Sequence, residues 1–178
     1  MTKGGPPNGG PLAGVRVIEL SHIMAGPCCG MMLGDMGADV IKVERPTGDD
    51  TRRTVPPEIN GESAAFMTMN RNKRGVCLNL KEPGAVDALR RLIRDLRGMP
   101  GPRLLMGDLN LPPAPAARWS RMRALAAAAT FPAEAPDRQL DHILTDHPGL
   151  RGRGCLTPDA PLSDHRPLLV EVDDPGAG

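Results

Sequence analysis

Tyrosine is absent, and the chain of 178 residues holds only two phenylalanines, Phe66 and Phe131, and one tryptophan, Trp119. Stacking of bases on aromatic platforms therefore has almost nothing to work with. Net charge is nearly absent too. Lys+Arg is 22 against Asp+Glu 21, a formal +1, which removes the bulk electrostatic argument for nucleic-acid or membrane partners. No Cys-x-x-Cys pair occurs: Cys28 and Cys29 are adjacent, while Cys77 and Cys155 lie far away in sequence. Neither a zinc site nor a disulfide framework is indicated, and a reduced, cytoplasmic setting is expected. Long apolar runs are missing as well. Residues 20–34 are free of Asp, Glu, Lys and Arg but are broken by Ser21, His22, Pro27 and three glycines, too short to span a bilayer. The first 14 residues lack the apolar segment of a signal peptide. What is plentiful is glycine and proline, 21 and 20 residues, close to the low-complexity regime. With a 40% apolar content and few aromatics, the core must come from Leu, Val, Ile, Met and Ala. It will be thin.

The length suits one ordinary domain or two very small ones. Residues 1–10 read as a disordered leader. Val15-Arg16-Val17-Ile18-Glu19-Leu20 reads as a buried strand, and Pro27 as the first residue of a helix that runs to Met36 and ends at Gly37. Val40-Ile41-Lys42-Val43-Glu44 is the next strand, which completes a βαβ unit with a right-handed crossover. A polar loop covers 45–61, a short helix 63–70, a basic turn 71–74 and a strand 76–80. A helix over 83–96 carries Val86, Leu89, Leu92, Ile93 and Leu96 on one stripe and Arg90, Arg91 and Arg94 opposite. Residues 98–102 (Gly-Met-Pro-Gly-Pro) stop it. Beyond lie a strand over 103–106, an Ala-rich helix over 116–130, a strand over 140–144, a long loop to His165 and a last strand over 167–172. The tail, 174–178, should be disordered.

Between residues 11 and 95, three blocks stand in order. They are Pro11 to Leu20 with Ala25-Gly26-Pro27, then Leu33-Gly34-Asp35-Met36-Gly37-Ala38-Asp39-Val40-Ile41-Lys42-Val43-Glu44-Arg45-Pro46, then Asn70-Arg71-Asn72-Lys73-Arg74-Gly75. Their order and spacing resemble the family III CoA transferases, the group of formyl-CoA transferase, carnitine CoA-transferase and α-methylacyl-CoA racemase. The resemblance implies that CoA or an acyl-CoA is bound, with Arg45, Lys73 and Arg74 on the CoA phosphates and His22 and Met24 lining the CoA and acyl pocket. The physics agrees in one respect: a loop leading into a helix N-terminus favours an anion. In that family a catalytic Asp carries the acyl group as a mixed anhydride. No residue of this chain aligns with that Asp.

Residues 103–173 carry three other motifs, each at a strand end: Gly107-Asp108-Leu109-Asn110, Leu140-Asp141-His142-Ile143-Leu144 and Ser163-Asp164-His165-Arg166-Pro167. Together they resemble the C-terminal third of the endonuclease/exonuclease/phosphatase family of metal-dependent phosphoester hydrolases. The resemblance implies that Asp108 positions and activates water and that Asn110 donates to the phosphate. His165 would bond a phosphate oxygen, with Asp141 fixing its tautomer, and Asp164 would belong to a Mg²⁺ or Mn²⁺ environment. The family's early Asn, its metal-binding Glu and its mid-chain Tyr and His are not identifiable here.

The expected fold class is therefore α/β: a Rossmann-like βαβ N-terminal segment, a junction over 96–102, and a partial α/β phosphoesterase sandwich, the whole at risk of folding incompletely. The expected function is that of a chimeric chain, a CoA-transferase-like CoA-binding segment with a phosphoesterase-like segment and little turnover. Two alternatives stand beside it: a weak Mg²⁺-dependent phosphoester hydrolase, and a product of fusion, deletion or assembly with no function. The expected partners are a small-molecule CoA thioester and a phosphoester substrate.

Overall fold

Val17 and Ile18 lie beside Val40 and Ile41 because β-branched residues fit a pleated strand, though the first strand, expected to be buried, keeps Val17 and Ile18 only partly covered. In the computed structural model, which describes residues 10–160 and 163–173, they form β1 (Arg16–Glu19) and β2 (Asp39–Glu44), joined by helix α1 (Ala25–Asp35). Of the expected leader, 1–10, all but Gly10 lies outside the described residues, as does the expected tail, 174–178; the Gly10 carbonyl accepts from the Ala13 N–H at 2.9 Å. Contacts divide the chain into an N-terminal unit, 1–98, and a C-terminal unit, 99–178.

In the N-terminal unit α1 closes on Gly37, whose φ of 100° is left-handed and suits glycine. Pro27 lies in the first turn, two residues inside the start at Ala25, where a missing N–H costs no helical bond. After β2 come a 3-10 helix (Asp50–Arg53), a hairpin of β3 (Glu58–Ile59) and β4 (Glu62–Ser63), and α2 (Ala64–Met69). Ser63 caps α2 by accepting from the Phe66 N–H at 3.3 Å. Arg52 forks onto Glu44 at 2.8 and 2.9 Å, and its guanidinium lies 3.6 Å over the Phe66 ring. Strand β5 (Lys73–Cys77) and helix α3 (Pro83–Arg97) complete the unit. The sheet order is β1-β2-β5, parallel throughout, with Glu19 opposite Lys42 and Val40 opposite Lys73.

One expectation is corrected here. Lys73 and Arg74 belong to the start of β5 rather than to a basic turn, because they pair with Val40 and Ile41 of the central strand. The pairing outweighs the polarity of the segment. Helix α3 starts with Pro83 as expected, but none of its residues is buried, so its apolar stripe is only half covered.

The C-terminal unit holds β6 (Leu104–Asp108), α4 (Pro113–Ser120), β7 (Arg123–Ala124), β8 (Asp141–Thr145), β9 (Arg151–Leu156) and β10 (Leu169–Asp173). β8 is the central strand of an antiparallel sheet, β6-β8-β7, and β9 pairs with β10 in a separate ribbon. The expected Ala-rich helix over 116–130 ends at Ser120. Arg121 turns left-handed at φ 56° and sends Arg123 and Ala124 into pairing with β8. Burial of Leu125, Ala126 and Thr130 outside any helix outweighs the helix propensity of alanine. The expected long loop before His165 contains β9, and the closing strand β10 joins β9 instead of the sheet around β8. Among the described residues the buried apolar side chains are Ala38, Val40, Val43, Ala116, Leu125, Ala126, Leu144 and Leu150. Three of these are alanines, so the core is thin. No helix among the described residues is long and apolar enough to cross a membrane.

Candidate functional site

In the N-terminal unit the loop between β1 and α1 carries His22, Ile23 and Met24, and Ile23 and Met24 are 53% and 61% exposed. Beneath the loop lies a network of four charges. Lys42 of β2 donates to Glu19 Oε1 at 3.0 Å and to the Ser21 carbonyl at 3.1 Å, and lies 2.9 Å from Asp49 Oδ2. Lys73 of β5 lies 2.8 Å from Glu19 Oε2 and donates to the Pro27 carbonyl and to Asn70 Oδ1 at 2.7 and 3.0 Å. Two carboxylates and two ammonium groups, all buried, balance each other. Pairing of this kind is the condition on which buried charge survives. Room for it comes from α1: a Cβ at Gly30 would meet Glu19 Oε2 at 1.9 Å. Burial opposes the charge on Asp49, but hydrogen bonds from Lys42, from Thr51 and from the Ile23 N–H hold its carboxyl well below the usual carboxylate range. Burial likewise lowers Lys73, against the pull of Glu19.

The five residues that the sequence offered as CoA contacts are therefore placed differently from one another. His22 is half-exposed, with Nδ1 3.7 Å from Asp49 Oδ2, and Met24 precedes α1, which has no side-chain cap at its N-terminus. Arg45, half-exposed at the end of β2, donates to the Gly48 carbonyl at 3.0 Å and pairs with Asp50. Arg74 forks onto Asp39 at 2.7 and 2.8 Å, where Arg16 also donates. Lys73 donates two hydrogen bonds inside the protein and forms an ion pair with Glu19, its side chain buried beneath the loop. Sequence inspection missed Lys42 and Asp49. The signal for Lys42 was a lysine inside an apolar strand, a residue type that is almost never fully buried unless paired.

In the C-terminal unit Asp108 ends β6 and Asp141 begins β8, and the antiparallel register sets them opposite each other. His165 joins them, so that ligand atoms of Asp108, Asp141 and His165 lie within 4.8 Å of one another. His165 Nδ1 is 2.7 Å from Asp141 Oδ2. With the carboxylate as acceptor, the ring proton sits on Nδ1 and Nε2 is left available. The ring packs against Phe131 at 4.8 Å. Its loop is pinned by the Ala133 N–H on the Asp164 carbonyl at 2.8 Å and by the Arg166 N–H on the Thr130 carbonyl at 2.7 Å. The Asn110 N–H donates to Asp108 Oδ1 at 2.8 Å in an Asx-turn. Burial lowers the His165 pKa, but the bond to Asp141 and the charges of Asp141, Asp108 and Asp164 raise it above the usual value.

Asp164 was the expected metal residue, but the converging group is Asp108, Asp141 and His165 without it; Asp164 Oδ1 accepts from Ser163 at 3.3 Å. Mg²⁺ demands near-octahedral oxygen ligands. Two carboxylates and an imidazole already bonded to one of them fit that ion poorly.

Residues 12–95 match the model of CoA-transferase family III. The chain is 51% identical over 87 residues to the succinyl-CoA:glutarate CoA-transferase of Mus musculus, covering 48% of this chain and 19% of that protein. It is 50% identical over 91 residues to the succinate–glutarate CoA-transferase of Agrobacterium fabrum (strain C58), covering 47% and 23%. A solved structure of a CAIB/BAIF family protein from Brucella suis is 43% identical, with a TM-score of 0.46 over 48% of this chain and 24% of that one. The chain thus spans about a fifth of the length of the curated relatives it matches.

Proposed function

We propose, from an N-terminal region of the CoA-transferase family III type, that this chain binds CoA or a CoA thioester through the loop after β1 and the end of β2. The observation that carries this is the family match, which takes in β1, α1, β2, β5 and most of α3. The local chemistry supports it. The α1 N-terminus has no side-chain cap, and its backbone donors and dipole favour negative charge. Arg45 brings a guanidinium suited to phosphate oxygens. Ile23 and Met24 offer exposed apolar surface for a thioester chain. Binding is the function assigned here, and no residue of the chain is given the acyl-carrying step. CoA raises the melting temperature: a ligand at a hundred times its Kd stabilises by about 2.7 kcal/mol. Arg45→Ala abolishes that shift without unfolding the protein, since its pair with Asp50 is exposed. No shift at millimolar CoA in a folded sample would overturn the proposal.

A second activity, phosphoester hydrolysis in the C-terminal unit, is favoured by one observation, the convergence of Asp108, Asp141 and His165. Asp141 holds the ring so that Nε2 meets a phosphate oxygen, Asp108 orients and deprotonates water, and Asn110 donates to the phosphate. The donor set is poor for Mg²⁺, so turnover of an activated phosphodiester is weak and appears only at millimolar Mn²⁺ or Mg²⁺. It disappears in His165→Ala and in Asp108→Asn. Turnover that survives both substitutions belongs to another protein in the sample and removes the assignment.

A further inference from the structure

We propose that Asp49 is a positioning residue for the CoA-facing loop: it holds Ile23 in a left-handed backbone conformation and so presets the places of His22 and Met24. The inference rests on the CoA-binding function proposed above for its consequence, though not for its geometry.

Ile23 has a φ of 71°. Left-handed backbone is unfavourable for any residue with a Cβ and most of all for a β-branched one. The residue is 53% exposed, so apolar packing supplies little to hold it there. What does hold it is a hydrogen bond from the Ile23 N–H to Asp49 Oδ1 at 3.1 Å. Asp49 is fully buried and is itself fixed by three further contacts: the Thr51 N–H at 3.0 Å, the Thr51 hydroxyl at 2.9 Å and Lys42 Nζ at 2.9 Å. Lys42 then reaches to the other side of the same loop, donating to the Ser21 carbonyl at 3.1 Å. The backbone of residues 21–23 is thus gripped at two points by one buried ion pair, with His22 between them. Strained backbone persists where the surroundings over-determine it, and a loop ordered before binding spares the ligand that entropic cost. Asp49 also accepts as the cap of the 3-10 helix, so the loop is anchored to the segment that follows Arg45.

The test joins hydrogen exchange to CoA titration in the full chain. Asp49→Ala releases the Ile23 amide: exchange at residues 22–24 accelerates, and CoA binds roughly tenfold more weakly, the equivalent of about 1.4 kcal/mol. Val43→Ala, which trims the core of β2 and removes none of the bonds that Asp49 accepts, lowers stability but leaves exchange at those residues unchanged relative to the rest of the sheet. Ile23→Gly placed on top of Asp49→Ala recovers part of the affinity for free CoA, which carries no acyl chain for the Ile23 side chain to meet, because glycine enters the left-handed conformation without strain; a residue acting only on stability would not be rescued from an exposed position. Should Asp49→Ala fail to fold, Ile23→Gly in the otherwise unaltered chain decides instead. Relief of the strain raises its melting temperature, and a lowered one overturns the proposal. Unchanged exchange at residues 22–24 in a folded Asp49→Ala variant also overturns it. If the unaltered chain binds no CoA, the proposed function fails alone, since the exchange comparison still decides whether Asp49 grips the loop.

Discussion

His165 keeps its proton to higher pH than a free imidazole because the Asp141 carboxylate lies 2.7 Å from Nδ1, with Asp108 and Asp164 adding negative charge, and this outweighs burial. A raised folded-state value has a definite consequence for stability. The contribution of the pair is fully present below the ordinary histidine value of 6.5 and is lost as pH rises through the higher folded value. In an NMR titration His165 therefore shows a midpoint above 6.5, and Asp141→Asn moves it down. A midpoint at or below the ordinary value in the unaltered chain would mean that the pair does not form in solution. The members of this cluster were legible in sequence because each sits in a short motif at a strand end. Asp49 was not. It stands in a polar stretch, Gly48-Asp49-Asp50, where nothing local distinguishes the fully buried carboxylate from its half-exposed neighbour.

At the scale of elements, β1, α1, β2 and α3 were legible because their patterns are local: β-branched runs for strands, a proline-started amphipathic stripe for α3, a glycine after α1. α4 and β7 were misjudged because alanine's helix propensity is a fraction of a kcal/mol per residue, less than the burial gained by leaving the helix. β8 is the element on which the C-terminal unit depends, pairing on both edges with Leu144 buried beneath. Leu144→Ala costs about 2–5 kcal/mol, the usual range for a buried leucine. Met106→Ala on β6, where the side chain is more than half exposed, stays within about 0.5 kcal/mol. Chemical denaturation of the two variants checks the contrast, and equal losses would show that β6 is covered in solution.

Over the whole molecule, composition and local pattern already dictated a lean α/β chain with a βαβ start, little aromatic surface and no excess of charge. The family match over residues 12–95 agrees with the blocks read from sequence, because the order of several short motifs is itself one-dimensional information. Partnership across space was another matter. That Lys42 and Lys73 neutralise Glu19 and Asp49 under a strained loop follows from the parallel register of β1, β2 and β5, which no local pattern encodes. That Asp108 faces Asp141 follows from the antiparallel register of β6 and β8, and their meeting with His165 from the backbone bonds that pin its loop. Whether a charge is solvated or buried, and whether two distant carboxylates touch, depends on which strands become neighbours. That choice minimises the free energy of the entire packed chain rather than of any segment.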